Sequence, residues 1–231
     1  MSRSFFSVAK GLAGLLPTRI RESRLVNRLA VRLMEKTGNY DEIYSPRYYQ
    51  TLVEPYVRTS APQMAQSIFD TFRPASVIDV GCGSGALLAE LHRQGVMRTV
   101  GLDASEAGLD MARARGLDVY PFNITTDHWE ENERFDVAVS METAEHLPPE
   151  SALRYVELLC SLAPVVICTA AHPGQGGIGH LNEQPQDYWI ARFSEQDMAL
   201  DEQRVSNWQG VWRKAGVAGF YTNNLMIFRR S

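Results

Sequence analysis

Two glutamates and a histidine stand at a spacing that could do chemistry. Glu142, Glu145 and His146 occupy positions i, i+3 and i+4, which are neighbours on one face if the segment forms a helical turn. Carboxylate oxygens and an imidazole nitrogen suit a hard or borderline divalent ion such as Mg²⁺. A fourth ligand is then expected from His172 or His180, which follow later in the chain.

The same histidines are candidates for moving a proton. Imidazole titrates near neutral pH and can accept a proton from a reacting hydroxyl. His146, His180 and His172 are therefore the predicted catalytic residues, although a metal-bound hydroxyl would ionise more easily and need a base less. A simpler interpretation stays open, in which a glutamate caps a turn and the histidine alone faces a pocket.

A glycine-rich turn indicates a ligand site. The apolar run 76–80 is followed by Gly81-Cys82-Gly83-Ser84-Gly85 and then by a helix-compatible run from Ala86. Glycine allows positive φ and close approach of the backbone to a ligand. A helix N-terminus offers unpaired N–H groups to a polar or anionic group. We therefore expect a nucleotide-like ligand across residues 81–85, named here the glycine turn.

The residues around the glycine turn bear on which nucleotide it holds. Gly81, Gly83 and Ala86 fit the G-x-G-x-x-A form of a dinucleotide site, so an NAD-dependent dehydrogenase is one alternative. Asp79 counts against it, because its carboxylate would repel a pyrophosphate but could hold an ammonium group. Asp103 ends a predicted strand and can accept hydrogen bonds from both hydroxyls of a ribose.

The run Asp79-Val80-Gly81-Cys82-Gly83-Ser84-Gly85 resembles motif I of the class I S-adenosylmethionine (SAM)-dependent methyltransferases. As an order of elements, the resemblance covers about residues 60–231. It implies SAM as the cofactor, with its adenine contacted by Asn123 and Ile124, although Asn123 could instead form a turn. The implied cofactor-binding residues are Asp79, Gly81, Cys82, Gly83, Gly85, Asp103, Ala104, Asn123, Ile124 and Met141.

The E-x-x-E-H segment carries a second resemblance. It is similar to the same segment in the ubiquinone-pathway O-methyltransferases and the small-RNA 3′-end 2′-O-methyltransferases, both metal-dependent. The resemblance implies a divalent metal, Mg²⁺ or another, that holds vicinal oxygens of the substrate. The implied ligands are Glu142, Glu145, His146 and His180. E-x-x-E-H-L also occurs in methyltransferases not known to bind metal, so the metal-free alternative stays open.

Alternating strands and helices are expected to position these residues. The alternation implies an α/β fold with a parallel sheet covered by helices on both faces, and the resemblance specifies a seven-stranded, mostly parallel Rossmann-like methyltransferase sheet. Predicted strands cover 76–80, 99–103, 119–122, 135–141, 165–170 and 225–228. Predicted helices cover 61–72, 86–94, 106–115, 151–162, 185–193 and 204–215.

Residues 1–60 are predicted to form an N-terminal helical extension or lid before a methyltransferase domain of residues 61–231. Residues 1–36 carry eight Lys or Arg and two acidic residues, and residues 19–36 have apolar positions close to helical spacing. This helix is expected to pack on the body or on a partner subunit, as in a dimer. Peripheral docking to an anionic membrane surface or to an acidic partner is the alternative. A lid or ordinary packing is predicted for Tyr40, Tyr44, Tyr48, Tyr49 and Tyr56.

The composition limits the class of protein. The chain has 231 residues, of which 45% are hydrophobic and 22% charged, values typical of one soluble domain with an accessory segment. Its net charge of −4 combines a net +6 in residues 1–36 with a net −10 in the remainder, and such an acidic body argues against a broad nucleic-acid surface. Cys82, Cys160 and Cys168 show no metal or redox spacing, which suits a reducing cytoplasm. No run reaches the roughly 18 apolar residues of a membrane span.

These observations predict a SAM-dependent methyltransferase that modifies a hydroxyl oxygen of a small-molecule substrate. A sugar, a glycan or a catechol-like natural-product intermediate would suit as the polar acceptor. The alternatives are 2′-O-methylation of an RNA 3′ end, N-methylation, and a non-catalytic SAM-binding subunit. The acidic body disfavours the RNA substrate, and no Asn/Asp-Pro-Pro-Tyr sequence is present to indicate transfer to nitrogen.

Overall fold

A seven-stranded mixed sheet forms the centre of the protein. The computed structural model describes residues 43–129 and 133–230. Across the sheet the strand order is β3-β2-β1-β4-β5-β7-β6, and the bounds are β1 Ser76–Val80, β2 Arg98–Asp103, β3 Asp118–Pro121, β4 Val137–Met141, β5 Val165–Thr169, β6 Met198–Leu200 and β7 Met226–Arg230. Strands β1 to β5 pair in parallel, and β7 runs antiparallel to β5 and β6. The predicted mostly parallel sheet is confirmed.

Helices cover both faces of this sheet. They are α1 Glu54–Phe72, α2 Ala86–Arg93, α3 Glu106–Ala114, α4 Ala152–Leu162, α5 Gln186–Ser194, α6 Glu202–Ala215 and α7 Gly219–Asn224. Helices α1, α2, α3 and α6 bury apolar side chains against one face of the sheet, and α4 and α5 do so against the other. The predicted layering of helices on both faces is therefore confirmed.

The order of the parallel strands places a crevice at one edge of the sheet. Strands β1, β4 and β5 are buried over nearly their whole length, as expected for a parallel sheet with both faces covered. The chain order reverses between β1 and β4. Ligands in such sheets bind beyond the carboxyl ends of the strands at this reversal. Those ends are Val80, Asp103 and Met141 for β1, β2 and β4.

Helix α1 is longer than the helix predicted at residues 61–72. It begins at Glu54 and follows a helical turn, Pro46–Tyr48, and a π-helical segment, Tyr49–Val53. Pro62 lies inside the helix, so a helix-breaking signal is overridden by the burial of the surrounding face against α2 and the sheet. Helix α1 crosses residue 60 without a break. The division of the chain into an extension of residues 1–60 and a domain of residues 61–231 stays a prediction.

Two short elements were not predicted from the sequence. Strand β6 has three residues and is defined by its pairing with β7, and α7 has six residues. The predicted helix at 19–36, the basic segment 1–36 and Tyr40 lie outside the described residues. Within the described ranges, no helix combines the length and apolar character needed to cross a membrane.

Candidate active site

A cavity of about 700 Å³ opens at the carboxyl ends of β1, β2 and β4. Its volume falls within the range of small-molecule and cofactor sites. The cavity brings together the glycine turn, the ends of the central strands and a loop from beyond β5. Among the predicted cofactor-binding residues, those that line it are Asp79, Gly81, Cys82, Gly83, Asp103, Ala104, Asn123, Ile124 and Met141.

The glycine turn is shaped by backbone geometry. Gly81, Gly83 and Gly85 all have positive φ, and the N–H groups of Gly81 and Cys82 both donate to the carbonyl of Leu102 in β2, at 2.7 and 3.0 Å. A Cβ at Gly81 would lie 2.5 Å from the Cγ2 of Thr143. Gly81 therefore has no room for a side chain, and the turn brings backbone to the cavity at Gly81 and Gly83.

Gly85 was predicted to contact the cofactor, and the structure places it in a helix contact beside the cavity. It is the N-cap of α2, and a Cβ there would lie 2.5 Å from Leu117 Cδ1 and 2.9 Å from Ala112 Cβ. It does not line the cavity. The third glycine is thus needed for the close packing of α2 against α3, which the spacing of glycines alone does not distinguish from ligand contact.

Asp79 is a buried carboxylate that faces the cavity. Its side chain is 3% exposed, and its Oδ1 has no hydrogen-bond partner among the described residues. Burial, together with the nearby charge of Asp103, raises the pKa of Asp79 to about 8. An unpaired carboxylate in a buried site is costly, so a cationic ligand group at this position would stabilise its charged form, as the predicted ammonium contact requires.

Asp103 holds the glycine turn against the end of β2. Its Oδ2 accepts a hydrogen bond from Gly83 N at 2.7 Å, and its Oδ1 accepts one from Ser105 N at 2.8 Å. Each carboxylate oxygen has a second lone pair, which keeps the predicted contact with ribose hydroxyls chemically feasible. These backbone contacts fix the orientation of the carboxylate at the rim of the cavity.

Asn123 forms a turn, which is the second of its two predicted interpretations. Its Oδ1 accepts hydrogen bonds from the N–H of Thr125 at 2.9 Å and from the Thr125 hydroxyl at 2.7 Å. The neighbouring Ile124 is buried and lines the cavity. Its apolar surface is available for the predicted contact with an adenine face.

Tyrosines from the segment before and at the start of α1 cover the cavity. Tyr49 is 5% exposed and packs on the glycine turn, since a Cβ at Gly83 would lie 3.1 Å from its ring. A π-helical segment such as Tyr49–Val53 is rare and is often found at functional sites. Burial raises the pKa of Tyr48 to about 12, so its phenol stays neutral. The tyrosines that line the cavity are Tyr44, Tyr48, Tyr49, Tyr56 and Tyr221.

Glu54 is a site residue that the sequence did not reveal. Its Oε1 accepts a hydrogen bond from the Ser84 hydroxyl at 2.5 Å, and its Oε2 accepts one from Arg115 Nη2 at 2.8 Å. Arg115 also donates to the Ser84 carbonyl. Glu54 therefore ties the start of α1 to the glycine turn and to the end of α3. No motif marks this glutamate in the sequence.

Glu145, His146 and His180 form a cluster, named here the Glu–His cluster. Potential ligand atoms of the three side chains all lie within 4.8 Å of one another, and the imidazole rings meet edge to face with centroids 4.9 Å apart. Tyr44 OH lies 3.1 Å from Nδ1 of His146. The backbone carbonyl of Glu145 accepts hydrogen bonds from Leu181 N and Asn182 N, which brings His180 to the cluster.

Glu142 is placed differently from the predicted shared helical face. Its backbone is left-handed, with φ of 50°, and it precedes a short 3₁₀ turn, Ala144–His146. Its Oε2 accepts a hydrogen bond from Gln175 Nε2 at 2.8 Å, and its Oε1 accepts one from Asn224 Nδ2 at 3.0 Å. Glu142 lines the cavity but is not part of the Glu–His cluster.

His172 was predicted as a candidate base or metal ligand, and the structure places it outside the cavity lining. It is exposed, its Nδ1 lies 3.2 Å from the carbonyl of Pro173, and it does not line the cavity. The chain turns outward at His172 and lines the cavity again from Gln175. The sequence shows that His172 and His180 both follow β5, but it could not show which of the two would line the cavity.

Burial controls the charge states within the Glu–His cluster. Glu145 is fully buried, and neither carboxylate oxygen has a hydrogen-bond partner among the described residues. Burial, and then the charge of Glu142, raises the pKa of Glu145 well above its usual value. Burial, and then His180, lowers the pKa of His146 to about 3. An unpaired buried carboxyl beside a neutral imidazole is a donor set that fits a divalent cation.

A family model described as "Methyltransferase domain" matches residues 49–216, well over half of the chain. The ubiquinone biosynthesis O-methyltransferase of Ruegeria sp. (strain TM1040) is 31% identical over 128 residues, which cover 53% of this chain and 47% of that protein. The enzyme of the same name from Aliivibrio fischeri (strain MJ11) is 40% identical over 85 residues, covering 34% and 36% of the two chains. The chain thus matches less than half the length of these relatives.

Solved structures with the same fold include methyltransferases of different substrates. An amino pentose methyltransferase from Micromonospora echinaspora, solved with bound SAM, has a TM-score of 0.58 at 17% identity, over 74% of this chain and 92% of that one. The magnesium protoporphyrin IX methyltransferase from Synechocystis PCC 6803, with bound SAH, has a TM-score of 0.56 at 16% identity, over 78% and 88%. At these identities the similarity shows the fold alone.

Proposed function

Because the chain belongs to the methyltransferase-domain family, among the class I SAM-dependent methyltransferases, we propose that it transfers a methyl group from SAM to a hydroxyl oxygen. The proposed acceptor is a small polar molecule such as a sugar, a glycan or a catechol-like intermediate. One observation carries the proposal. The same cavity is lined by the glycine turn with Asp79 and Asp103 and by the buried Glu–His cluster.

In this proposal the glycine turn and its neighbours hold SAM. Asp79 receives the ammonium group of the methionine part, which pairs its buried carboxylate. Asp103 binds the ribose hydroxyls, and Ile124 packs against the adenine. Tyr48 and Tyr49 cover the turn from the side of α1, and their neutral phenols leave the positive sulfonium as the main charge facing the acceptor.

The Glu–His cluster acts on the acceptor in this proposal. The hydroxyl oxygen attacks the methyl carbon in line with the S–CH₃ bond, that bond breaks, S-adenosylhomocysteine leaves, and the hydroxyl proton is lost. A divalent ion held by Glu145, His146 and His180 would lower the pKa of the hydroxyl. In its absence His180 is the proposed base, because the lowered pKa of His146 makes that imidazole a weak acceptor of protons. Much of the acceleration comes from positioning the two substrates.

The chemistry of the cluster bears on the choice of ion. With Glu142 occupied by Gln175 and Asn224, the cluster offers two imidazoles and one carboxylate. Imidazole suits Zn²⁺, Fe²⁺ and Ni²⁺ better than Mg²⁺, which prefers oxygen ligands. A borderline ion such as Zn²⁺ or Fe²⁺ is therefore proposed ahead of Mg²⁺.

Transfer to oxygen is proposed because the sequence relatives are named as O-methyltransferases, and a sugar acceptor agrees with the name of one structural neighbour. The fold by itself does not fix the reaction, since another neighbour is described as a [4+2]-cyclase, with a TM-score of 0.53. The proposal therefore depends on the cluster together with the family.

A binding and turnover experiment tests the function. Calorimetry with SAM and with NAD⁺ is expected to detect SAM binding alone. A panel of catechols, sugars, glycans and a short RNA is then assayed for release of S-adenosylhomocysteine, with EDTA and with added Mn²⁺, Zn²⁺ or Mg²⁺. Failure to bind SAM, or binding without turnover of any acceptor, would count against the enzyme assignment.

The Glu145→Ala variant tests the role of the metal separately. Turnover and Zn²⁺ affinity are both expected to fall by at least about tenfold, because even residues that only orient a metal ligand contribute about 10–100-fold. Glu150→Ala, at an exposed glutamate of the next turn, is the control and should be neutral. Activity that survives both EDTA and Glu145→Ala would remove the metal from the proposal.

A further inference from the structure

The loop of residues 170–185, named here the His180 loop, carries a histidine of the site without regular secondary structure. It connects β5 to α5 and contains Gly174, Gly176, Gly177 and Gly179. A glycine-rich loop of this length has many accessible conformations. The position of His180 therefore depends on specific contacts within the loop.

Glu183 supplies three of these contacts. Its Oε2 accepts a hydrogen bond from Gly174 N at 2.9 Å, and its Oε1 accepts one from Gly176 N at 2.7 Å. The same Oε1 lies 3.0 Å from Nδ1 of His180. The Glu183 side chain is 11% exposed. Its carboxylate thus connects the loop backbone at Gly174 and Gly176 to the imidazole of His180.

The contact between Glu183 and His180 determines which nitrogen carries the proton. The carboxylate already accepts two backbone N–H groups, and an ionised carboxylate has no proton to donate. Nδ1 of His180 must therefore be the donor. In the neutral imidazole this leaves the lone pair on Nε2. Carboxylates that accept from the remote nitrogen of a ligating histidine fix its tautomer and ring orientation in the same way.

The surroundings of the imidazole agree with a fixed orientation. A Cβ at Gly177 would lie 2.5 Å from Cε1 of His180 and closer still to Nε2, so the Gly177 backbone packs closely on this edge of the ring and a side chain would not fit. His146 packs edge to face on the ring at a centroid distance of 4.9 Å. The ring is therefore held at Nδ1 by Glu183, while Gly177 and His146 restrict its orientation.

We propose that Glu183 is the positioning residue of the acceptor half of the site, holding His180 as the Nδ1–H tautomer so that Nε2 serves the Glu–His cluster. This inference rests on the proposed function for its purpose, but the tautomer itself can be measured without turnover. Glu183 touches neither substrate nor cofactor in this account and acts through His180.

Nuclear magnetic resonance of the ¹⁵N-labelled histidines tests this directly. Long-range ¹H–¹⁵N spectra distinguish the two neutral tautomers and the imidazolium, and the His180→Gln variant identifies the His180 signals among the five histidines. The wild-type protein is expected to show His180 as Nδ1–H. In the neutral imidazole of the wild-type protein, an Nε2–H tautomer would overturn the proposal before any variant is made.

Two substitutions of Glu183 separate positioning from general stability. Glu183→Gln keeps an oxygen that can accept from Nδ1, so the tautomer should persist, whereas Glu183→Ala should give mixed tautomers. Zn²⁺ affinity is expected to fall about 10–100-fold in Glu183→Ala and less in Glu183→Gln. Glu195→Ala, at an exposed glutamate near the end of α5, is the control and should change neither measurement.

The outcomes distinguish the inference from the function on which it rests. An unchanged His180 tautomer in a folded Glu183→Ala protein would overturn the inference, whatever the enzyme methylates. If no acceptor is methylated but the tautomer responds as described, the proposed function fails while the role of Glu183 in orienting His180 stands.

Discussion

Two parts of the cavity are held in place by different kinds of contact: the proposed SAM half at the glycine turn, and the proposed acceptor half at the Glu–His cluster and the His180 loop. At the glycine turn, backbone N–H groups bond to the Leu102 carbonyl and to the Asp103 carboxylate. Around the His180 loop, side chains bond to one another or to the loop backbone, as Glu142 and Glu183 do. Backbone geometry is fixed by a few adjacent residues, whereas side-chain networks can change one residue at a time.

The two kinds of contact suit the two proposed tasks of the cavity, which are to bind one constant cofactor and to bind an acceptor that can vary. A turn built from the backbone tolerates few side chains and is suited to one cofactor. A glycine-rich loop fixed by Glu142, Gln175, Glu183 and Asn224 can be reshaped by substitution without disturbing the turn. We expect substitutions in the first half to affect SAM binding, and those in the second to affect the acceptor and the metal.

The largest effect is expected from Gly81→Val in the glycine turn. A side chain there meets Thr143 and must adopt a φ of 81°, which costs a non-glycine residue about 1–2 kcal/mol before the clash is counted. SAM binding measured by calorimetry should be lost. Gly116→Val is the matched control, because Gly116 has φ of 76° but nothing within 4 Å of a Cβ. Equal loss of SAM binding in both variants would contradict a role for the close approach.

A smaller effect is expected from Asp79→Asn. SAM affinity should fall by more than about tenfold, since hydrogen bonds to charged groups contribute about 1.5–3 kcal/mol. Without SAM the stability should change in the opposite sense. The folded-state pKa of about 8 exceeds the unfolded value of about 3.9, so the folded state binds more protons and the wild type loses stability as pH rises between these values.

Denaturant unfolding from pH 4 to pH 8 without ligand measures that second effect. The Asp79→Asn protein should lose the part of the pH dependence that the buried carboxyl contributes and should be the more stable protein near pH 8. A SAM affinity equal to that of the wild type would exclude the ammonium contact, and an unchanged pH profile would exclude the raised pKa.

The smallest effect is expected from Glu54→Ala, which removes the link between α1 and the glycine turn. The free energy of unfolding should fall by about 1–3 kcal/mol, because buried partners of Glu54 lose their hydrogen bonds. SAM affinity should decrease only slightly, since the turn keeps its own backbone contacts. Asp70→Ala, which breaks an exposed pair with Arg73, is the control, with an expected cost of about 0–1 kcal/mol. Equal costs would show that Glu54 contributes no more than a surface pair.

The sequence by itself determined the fold class and located the residues of the proposed SAM half of the site. The strand, turn and helix of residues 76–93 are adjacent in the chain, and the positive φ of Gly81 and Gly83 leaves few alternatives to glycine. The short-range pattern of strand and turn residues likewise predicted that Asp79 and Asp103 lie at the ends of strands. It could not separate ligand contact from packing, which is why Gly85, turned toward Leu117 and Ala112, was assigned to the cofactor.

Only the tertiary structure decided the acceptor half. It placed His172 outside the cavity lining, paired Glu142 with Gln175 and Asn224, and revealed the contacts of Glu54 and Glu183. The partners of Glu54 and Glu142 lie 30 and 82 residues away in the chain, at Ser84 and Asn224. Such contacts depend on how the loop beyond β5, the start of α1 and α7 pack around the sheet. No periodicity or motif encodes that packing, because the residues that meet are brought together by the fold and not by their spacing.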